Sequence, residues 1–186
     1  MAEQPAAALA PFAELRRLQR LGIERGAELP TEEEAPRQWV GIGFRAGSRR
    51  FVAPLDEVHE VLDPPPLTRV PHAQEWLKGI SNIRGTLLPI VDLTAFLGVG
   101  AASESPLARV LVVSEGNLRA GLLVDEVLGM RHFDTGERKD VGSGQEKGYG
   151  GASPYVTAVF EHGNNRWPVF SMAALAADPA FLRASA

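Results

Sequence analysis

The chain contains no cysteine, which rules out disulfides and thiolate-ligated metal. Nor does it carry an excess of basic charge: 19 lysines and arginines stand against 23 aspartates and glutamates, a net charge of −4 over 186 residues. Nucleic-acid binding generally rests on a cationic field, so a mildly acidic chain of this kind points away from it. No apolar run approaches the ~18 residues that span a bilayer. Residues 1–10 have neither a basic start nor an apolar stretch of signal-peptide length. These absences lead to the expectation of a cytoplasmic protein with no nucleic-acid partner and no direct membrane insertion.

Catalytic and ligating patterns are missing too. The histidines are His59, His72, His132 and His162, and no two stand four apart as a helical zinc site requires. The loop Gly142-Ser143-Gly144-Gln145-Glu146-Lys147-Gly148 lacks the Gly-Lys-Ser/Thr ending of a phosphate loop, and Lys147 stands where a dinucleotide fingerprint needs its third glycine. Ser81, Ser114 and Ser153 lack the flanking glycines of a nucleophile elbow. The remaining enzyme reading is a small metal-dependent hydrolase built on His59, Glu60 and His72, yet no feature of the sequence announces the pocket or perturbed acid that general acid–base chemistry needs. No catalytic residue, metal ligand or cofactor site is assigned.

What is present is an ordinary globular composition, 45% apolar and 23% charged, sufficient to bury one core. Residues 1–36 stand apart as an N-terminal extension, and residues 37–186 form the main domain. In the extension, Phe12, Leu15, Leu18, Leu21 and Ile23 alternate with Arg16, Arg17 and Arg20, which predicts a short amphipathic helix over 11–26, either a strap on the protein's own body or a docking or membrane-surface segment. The acidic, proline-bounded stretch 28–36 reads as a linker.

From Gln38 the period becomes two. Val40, Ile42 and Phe44 share a face, Ala46-Gly47-Ser48 is a turn, and residues 50–53 return as a strand. Asp56–Leu62 fits one helical turn or a strand with Val58 and Glu60 on one side; Pro64-Pro65-Pro66 ends it either way. A second hairpin spans 107–124 and continues through 133, residues 134–154 read as a long glycine-rich mobile loop, and a third hairpin spans 155–170. Ser171 then caps a final helix. Many short strands separated by turn signals predict a mostly β, antiparallel fold of barrels or a sandwich.

The centre of the chain is the stretch 76–98. Asn82-Ile83-Arg84-Gly85 lies between two apolar runs, which places an arginine on a tight turn with anchored flanks. Leu87–Val91 reads as a strand covered on both faces, and Pro89 puts it at an edge or a bulge. Asp92 or Thr94 caps a short helix that Gly98 stops. A fixed guanidinium of this kind suits recognition of a carboxylate on another protein.

Gly79-Ile80-Ser81-Asn82-Ile83-Arg84-Gly85 followed by Leu88-Pro89-Ile90-Val91-Asp92-Leu93 resembles the signature of the CheW-like chemosensory adaptors. Val58-His59-Glu60-Val61 is similar to a short upstream segment of that family, and Gly121-Leu122-Leu123-Val124-Asp125-Glu126-Val127 to a later strand. The resemblance covers about residues 38–177. The N-terminal arm, the entry Trp39–Phe44, Val70–Trp76 and Gly129–Phe133 point further, to the pilus-associated, PilI-like subtype. The resemblance implies a non-catalytic adaptor folded as two intertwined five-stranded SH3-like β-barrels with short helices. It implies two partners, a methyl-accepting chemotaxis receptor and the regulatory domain of a CheA-type histidine kinase, in control of type IV pilus twitching motility or, alternatively, of flagellar chemotaxis. It also implies that Asn82, Arg84 and Gly85 face the receptor, that Val58 and Glu60 belong to a partner-binding segment, and that Gly79 and Gly121 tolerate little bulk. The extension and the Trp167-Pro168-Val169 stretch depart from the family pattern.

Overall fold

Alternating apolar residues separated by Gly-containing turns produce eleven strands among the residues that the computed structural model describes, namely 38–100, 105–116, 118–142, 148–163 and 165–183. The helix and linker expected within 1–36 lie outside that set, as do residues 143–147 of the glycine-rich loop. The strands are β1 (Gln38–Ala46), β2 (Arg49–Pro54), β3 (Val58–Leu62), β4 (Leu77–Ile83), β5 (Thr86–Asp92), β6 (Arg109–Glu115), β7 (Leu118–Val124), β8 (Glu126–Asp134), β9 (Arg138–Asp140), β10 (Val156–His162) and β11 (Asn165–Phe170). Three 3-10 turns and three short α-helices complete the set, the latter being α1 (Leu93–Phe96), α2 (Met172–Ala176) and α3 (Pro179–Leu182).

Two sheets result. The first has the order β8-β1-β2-β11-β10-β9 and the second β3-β6-β7-β5-β4. The chain leaves the first sheet after β2, builds the whole of the second, and returns through β8. Pairing is antiparallel except between β2 and β11 and between β5 and β7. One core joins the sheets, with Phe44, Phe51 and Phe170 mutually in ring contact and Leu93, Leu111, Leu122 and Val124 opposite them. A second cluster, Val52, Phe133, Phe160, Trp167 and Val169, fills the far side of the first sheet, so both faces of β2 are covered.

Each helix begins on an aspartate or serine that satisfies an otherwise unbonded N–H. Asp92 accepts from Ala95 at 2.9 Å, Ser171 from Ala174 at 3.1 Å, and Asp178 from Ala180 at 2.6 Å. Of the two caps expected for α1 the structure selects Asp92. Phe181 of α3 stacks on Trp76 and meets Phe96 edge-on, which docks the C-terminal turn against α1.

Several sequence expectations need correction. Residues 126–134 do not continue the β6–β7 hairpin; β8 crosses to the first sheet and pairs along β1. Within 134–154, strand β9 pairs with β10 and makes the first sheet six-stranded. Of the two alternatives for Pro89, the edge fails, since β5 is interior to its sheet order, and the bulge stands, as a register shift between Leu77 and Gly79 on the partner strand β4. Pro89 is accommodated because its partner Ile80 turns both of its backbone groups toward Thr68, on the other side of β4, so no hydrogen bond is lost opposite the proline. Pairing of β5 with β7 begins only at Ile90. Finally, β5 is not covered on both faces along its length, since Leu87 is 70% exposed.

Candidate docking site at the β4–β5 turn

The turn between β4 and β5 has two residues, closed by the Ile83–Thr86 pair. Arg84 has φ 51° and Gly85 φ 84°, the primed-turn geometry that matches the twist of a hairpin. A Cβ at Gly85 would touch nothing within 4 Å, so glycine is needed there for its backbone conformation and not for space. Asn82 braces the turn from inside: its Oδ1 accepts the Gly85 N–H at 2.8 Å. Arg84 is the second non-glycine residue of the described chain with positive φ, alongside His72, and its side chain is 80% exposed. The guanidinium is held away from the body of the sheet by backbone geometry.

Glu60 provides its partner. Arg84 Nη2 donates to Glu60 Oε1, an ion pair across 24 residues of sequence. Glu60 lies on β3 and Arg84 at the tip of β4, the two outer strands of the second sheet. In a flat five-stranded sheet those edges would stand about 19 Å apart, at ~4.8 Å per strand; an ion pair between them requires the sheet to curl until its edges meet. The barrel-like closure implied by the resemblance is thus visible in one side-chain contact.

A bulge re-aims Glu60. Val58 pairs with Val113 but Glu60 with Val112, which leaves His59 as the extra residue. Because Val112 and Val113 are consecutive, Val58 and Glu60 fall on opposite faces, which corrects the expectation that they share a side. Val58 packs against the joint core, and Glu60 turns to the turn. Leu87, opposite Asn82 in the register, is an exposed apolar side chain just past the turn. The sequence reading missed it because a leucine inside an apolar run looks buried.

Gly79 and Gly121 act from behind this surface, and both are buried. A Cβ on Gly79, φ 148°, would lie 2.5 Å from the Thr68 carbonyl oxygen, and one on Gly121 would lie 2.5 Å from Ile90 Cδ1 and 2.7 Å from Val110 Cγ1. The first admits the strand-like segment at Thr68 onto β4, and the second lets β5 and β6 close over β7. Their place in the fold is to let neighbouring backbone and side chains close in.

The residues of the hydrolase reading do not assemble into a metal site. His59 and His72 are both exposed, Glu60 is committed to Arg84, and among the described residues no group of three or more His, Cys, Asp or Glu stands where it can hold a metal ion. Among those residues no helix is long and apolar enough to cross a membrane. The geometry offers an exposed cation on a conformationally fixed turn, with Leu87 exposed on the strand that follows it.

Two sheets of this connectivity are the fold of a scaffold. The profile of the CheW-like domain matches residues 40–180, and the chain belongs to that family of non-catalytic scaffold adaptors. It is 46% identical over 157 residues to Protein PilI of Pseudomonas aeruginosa, covering 84% of this chain and 85% of that one. It is 36% identical over 112 residues to the chemotaxis protein CheW of Rhizobium meliloti, covering 58% and 72% of the two chains. The crystal structure of the scaffolding protein TtCheW from Thermoanaerobacter tengcongensis superimposes with a TM-score of 0.66 over 76% of this chain and 94% of that one, at 22% identity, and shows the same fold.

Proposed function

We propose that this adaptor couples a methyl-accepting chemoreceptor to the regulatory domain of a CheA-type histidine kinase, in the cytoplasm, within the chemosensory system that controls type IV pilus twitching motility. The likeness to PilI over most of both chains supports the pilus pathway, and membership of the CheW-like family supports the two partners. In this reading the adaptor domain is 37–186, with 1–36 as its extension. The observation that carries the site is Arg84: an 80%-exposed guanidinium fixed by a primed turn, braced by Asn82 and steered by Glu60. It faces a carboxylate on the receptor, with Leu87 supplying the apolar contact beside it. The kinase binds elsewhere on the domain, and the two equilibria are linked, so a change at one interface biases the other without chemistry in the adaptor.

The test is co-sedimentation with receptor fragments together with a pull-down of CheA-type regulatory domains. Arg84→Glu weakens receptor retention by tenfold or more, on the order of one charge-assisted contact reversed, and leaves the kinase domain bound. Normal receptor retention by the folded variant overturns the site. Retention of a flagellar kinase domain in preference to the pilus one overturns the pathway.

A further inference from the structure

The hairpin that carries Arg84 is gripped at its root by aromatic rings from three parts of the chain. Trp76 stands immediately before β4, and Phe96 lies in α1, which follows β5 directly. Their rings meet edge-on at 5.3 Å and 80°. Phe181, from α3, stacks on Trp76 at 5.9 Å and 9° and meets Phe96 edge-on at 5.0 Å and 83°; such pairs stabilise beyond the area they bury. The backbone closes at the same point, since the Asp92 N–H donates to the Trp76 carbonyl at 2.8 Å. A second latch holds α3: its cap, Asp178, accepts from the Tyr155 hydroxyl, and the Tyr155 ring lies 6.1 Å from that of Phe96.

Past this root the hairpin has little other sheet to lean on. Strand β5 pairs with β7 only from Ile90 to Asp92, so from Thr86 to Pro89 its partner strand among the described residues is β4 alone. On its other side β4 has the isolated Thr68–Ile80 bridge. Leu88 is buried, and beyond it stand the Ile83–Thr86 rung and the turn. From Trp76 to Arg84, a rise of ~3.3 Å per residue gives a reach of about 26 Å. A rotation of ~5° at the root therefore moves the tip by about 2 Å, more than a charge-assisted hydrogen bond tolerates. A half-open groove of about 460 Å³, lined by Gln74, Trp76, Phe96, Ala180 and Arg183, leaves Trp76 and Phe96 half-buried, so the rings sit at the margin of the core.

We infer that α3 is a clamp on this root, which sets the angle at which the β4–β5 hairpin leaves the sheet, with Phe181 as a positioning residue for the Arg84 turn. Its functional sense rests on Arg84 as the receptor-facing cation. Phe181 needs no contact with a partner: it acts through Trp76 and Phe96, whose rings carry its position to the residue ahead of β4 and to the helix after β5. The C-terminal turn thereby becomes part of the docking site, although it lies at the opposite end of the hairpin from the cation.

The experiment pairs amide hydrogen exchange with the receptor co-sedimentation assay on the full chain. In Phe181→Ala, exchange at the tip, at the Gly85 amide held by Asn82 and the Thr86 amide of the last rung, quickens about tenfold. Receptor retention falls about three- to tenfold, and capture of the kinase domain is unchanged. Phe181→Leu, which keeps apolar bulk on Trp76, is the milder variant and shifts both readouts in the same direction by less. Phe160→Leu, in the separate cluster of the first sheet, is the stability control. It lowers the denaturant midpoint and leaves the tip amides unchanged, because these exchange by local opening. Tip exchange at the wild-type rate in folded Phe181→Ala or Phe181→Leu overturns the clamp, as does equal acceleration in Phe160→Leu. Wild-type retention by Phe181→Ala, where Arg84→Glu loses it, overturns the positioning role. Normal retention by Arg84→Glu overturns the receptor reading instead, and the exchange rates still decide the clamp.

Discussion

Arg45 and Arg84 each reach a carboxylate distant in sequence, and they do opposite work. Arg45, on the first sheet, is 30% exposed and meets Asp125 at 3.9 Å and Glu126 at 3.2 Å. Asp125 is almost fully buried where the chain crosses from β7 back to β8, and its Oδ2 also accepts from Gly47 N at 2.6 Å and Thr94 Oγ1 at 3.3 Å. Arg84, on the second sheet, is 80% exposed and meets Glu60 at the rim. The chemistry is the same, but the dielectric is not. An exposed pair is screened by water and contributes ~0–1 kcal/mol, whereas a buried carboxylate with several donors leaves all of them unsatisfied when it is removed. Burial therefore assigns Arg45 to holding the fold together and leaves Arg84 as an exposed, weakly held cation.

The sharpest way to break the comparison is Asp125→Ala. It strips Gly47 N and Thr94 Oγ1 of their acceptor and Arg45 of one of its two carboxylates. A loss of about 3 kcal/mol is expected, read as a shift in the denaturant midpoint with the slope unchanged; a loss below about 1 kcal/mol would put the two arginines in the same class. Gly79→Ala comes next. It places a Cβ 2.5 Å from the Thr68 carbonyl at a φ that L-residues avoid, so the Thr68–Ile80 bridge opens. The expected cost is about 2 kcal/mol, with faster hydrogen exchange at Thr68 and Ile80 marking the location.

Arg84→Gly tests the exposed side of the comparison. It removes the Glu60 pair but also relieves a non-glycine residue at φ 51°, two terms of opposite sign, each on the order of 1 kcal/mol. Stability within about 1 kcal/mol of wild type, together with lost receptor retention, is the expected result. A variant that unfolds would show that barrel closure depends on the pair.

Much of this contrast was legible in the sequence, and its limits have physical reasons. The hairpins β1–β2, β6–β7 and β10–β11 follow from period-two alternation and the turns at Gly47, Gly116 and Gly163, because local twist and turn chemistry decide them. The β8 crossing was not legible, since an apolar-alternating strand carries no mark of which sheet edge it will join. Strand β9 was missed because Arg138-Lys139-Asp140 has no apolar pattern, and its order comes from pairing with β10. At the site, Arg84 and Glu60 were each singled out, yet their contact depends on the second sheet curling until its edges meet, a property of five strands at once. The bulge at His59, which decides where Glu60 points, is a matter of register that one strand alone does not encode.

The smallest effect concerns acid. Two carboxylates hold the C-terminal helices, and their protonation runs in opposite directions. Asp178 caps α3 and accepts from the Tyr155 hydroxyl, and that hydrogen bond, followed by the Ala180 N–H, holds its carboxyl below the ordinary value. Glu57 accepts the Met172 N–H at the start of α2 at 2.6 Å, but burial pushes its carboxyl up. A lowered value means that the folded state favours the charged form. The contribution of Asp178 is present above the ordinary aspartate range near pH 4 and is lost as pH falls through its folded value. A raised value means the reverse. The contribution of Glu57 is complete below the ordinary glutamate range and is lost as pH rises through its folded value. Stability of the α2–α3 segment should therefore pass through a shallow maximum in mild acid, between the two folded values. Amide exchange of that segment against pH reads it directly. Glu57→Gln, which keeps an acceptor for Met172, flattens the alkaline limb, and Asp178→Asn flattens the acid one. An unchanged profile in both variants would remove these carboxylates from the account and leave the aromatic stack of Trp76 and Phe181 as what holds the C-terminus.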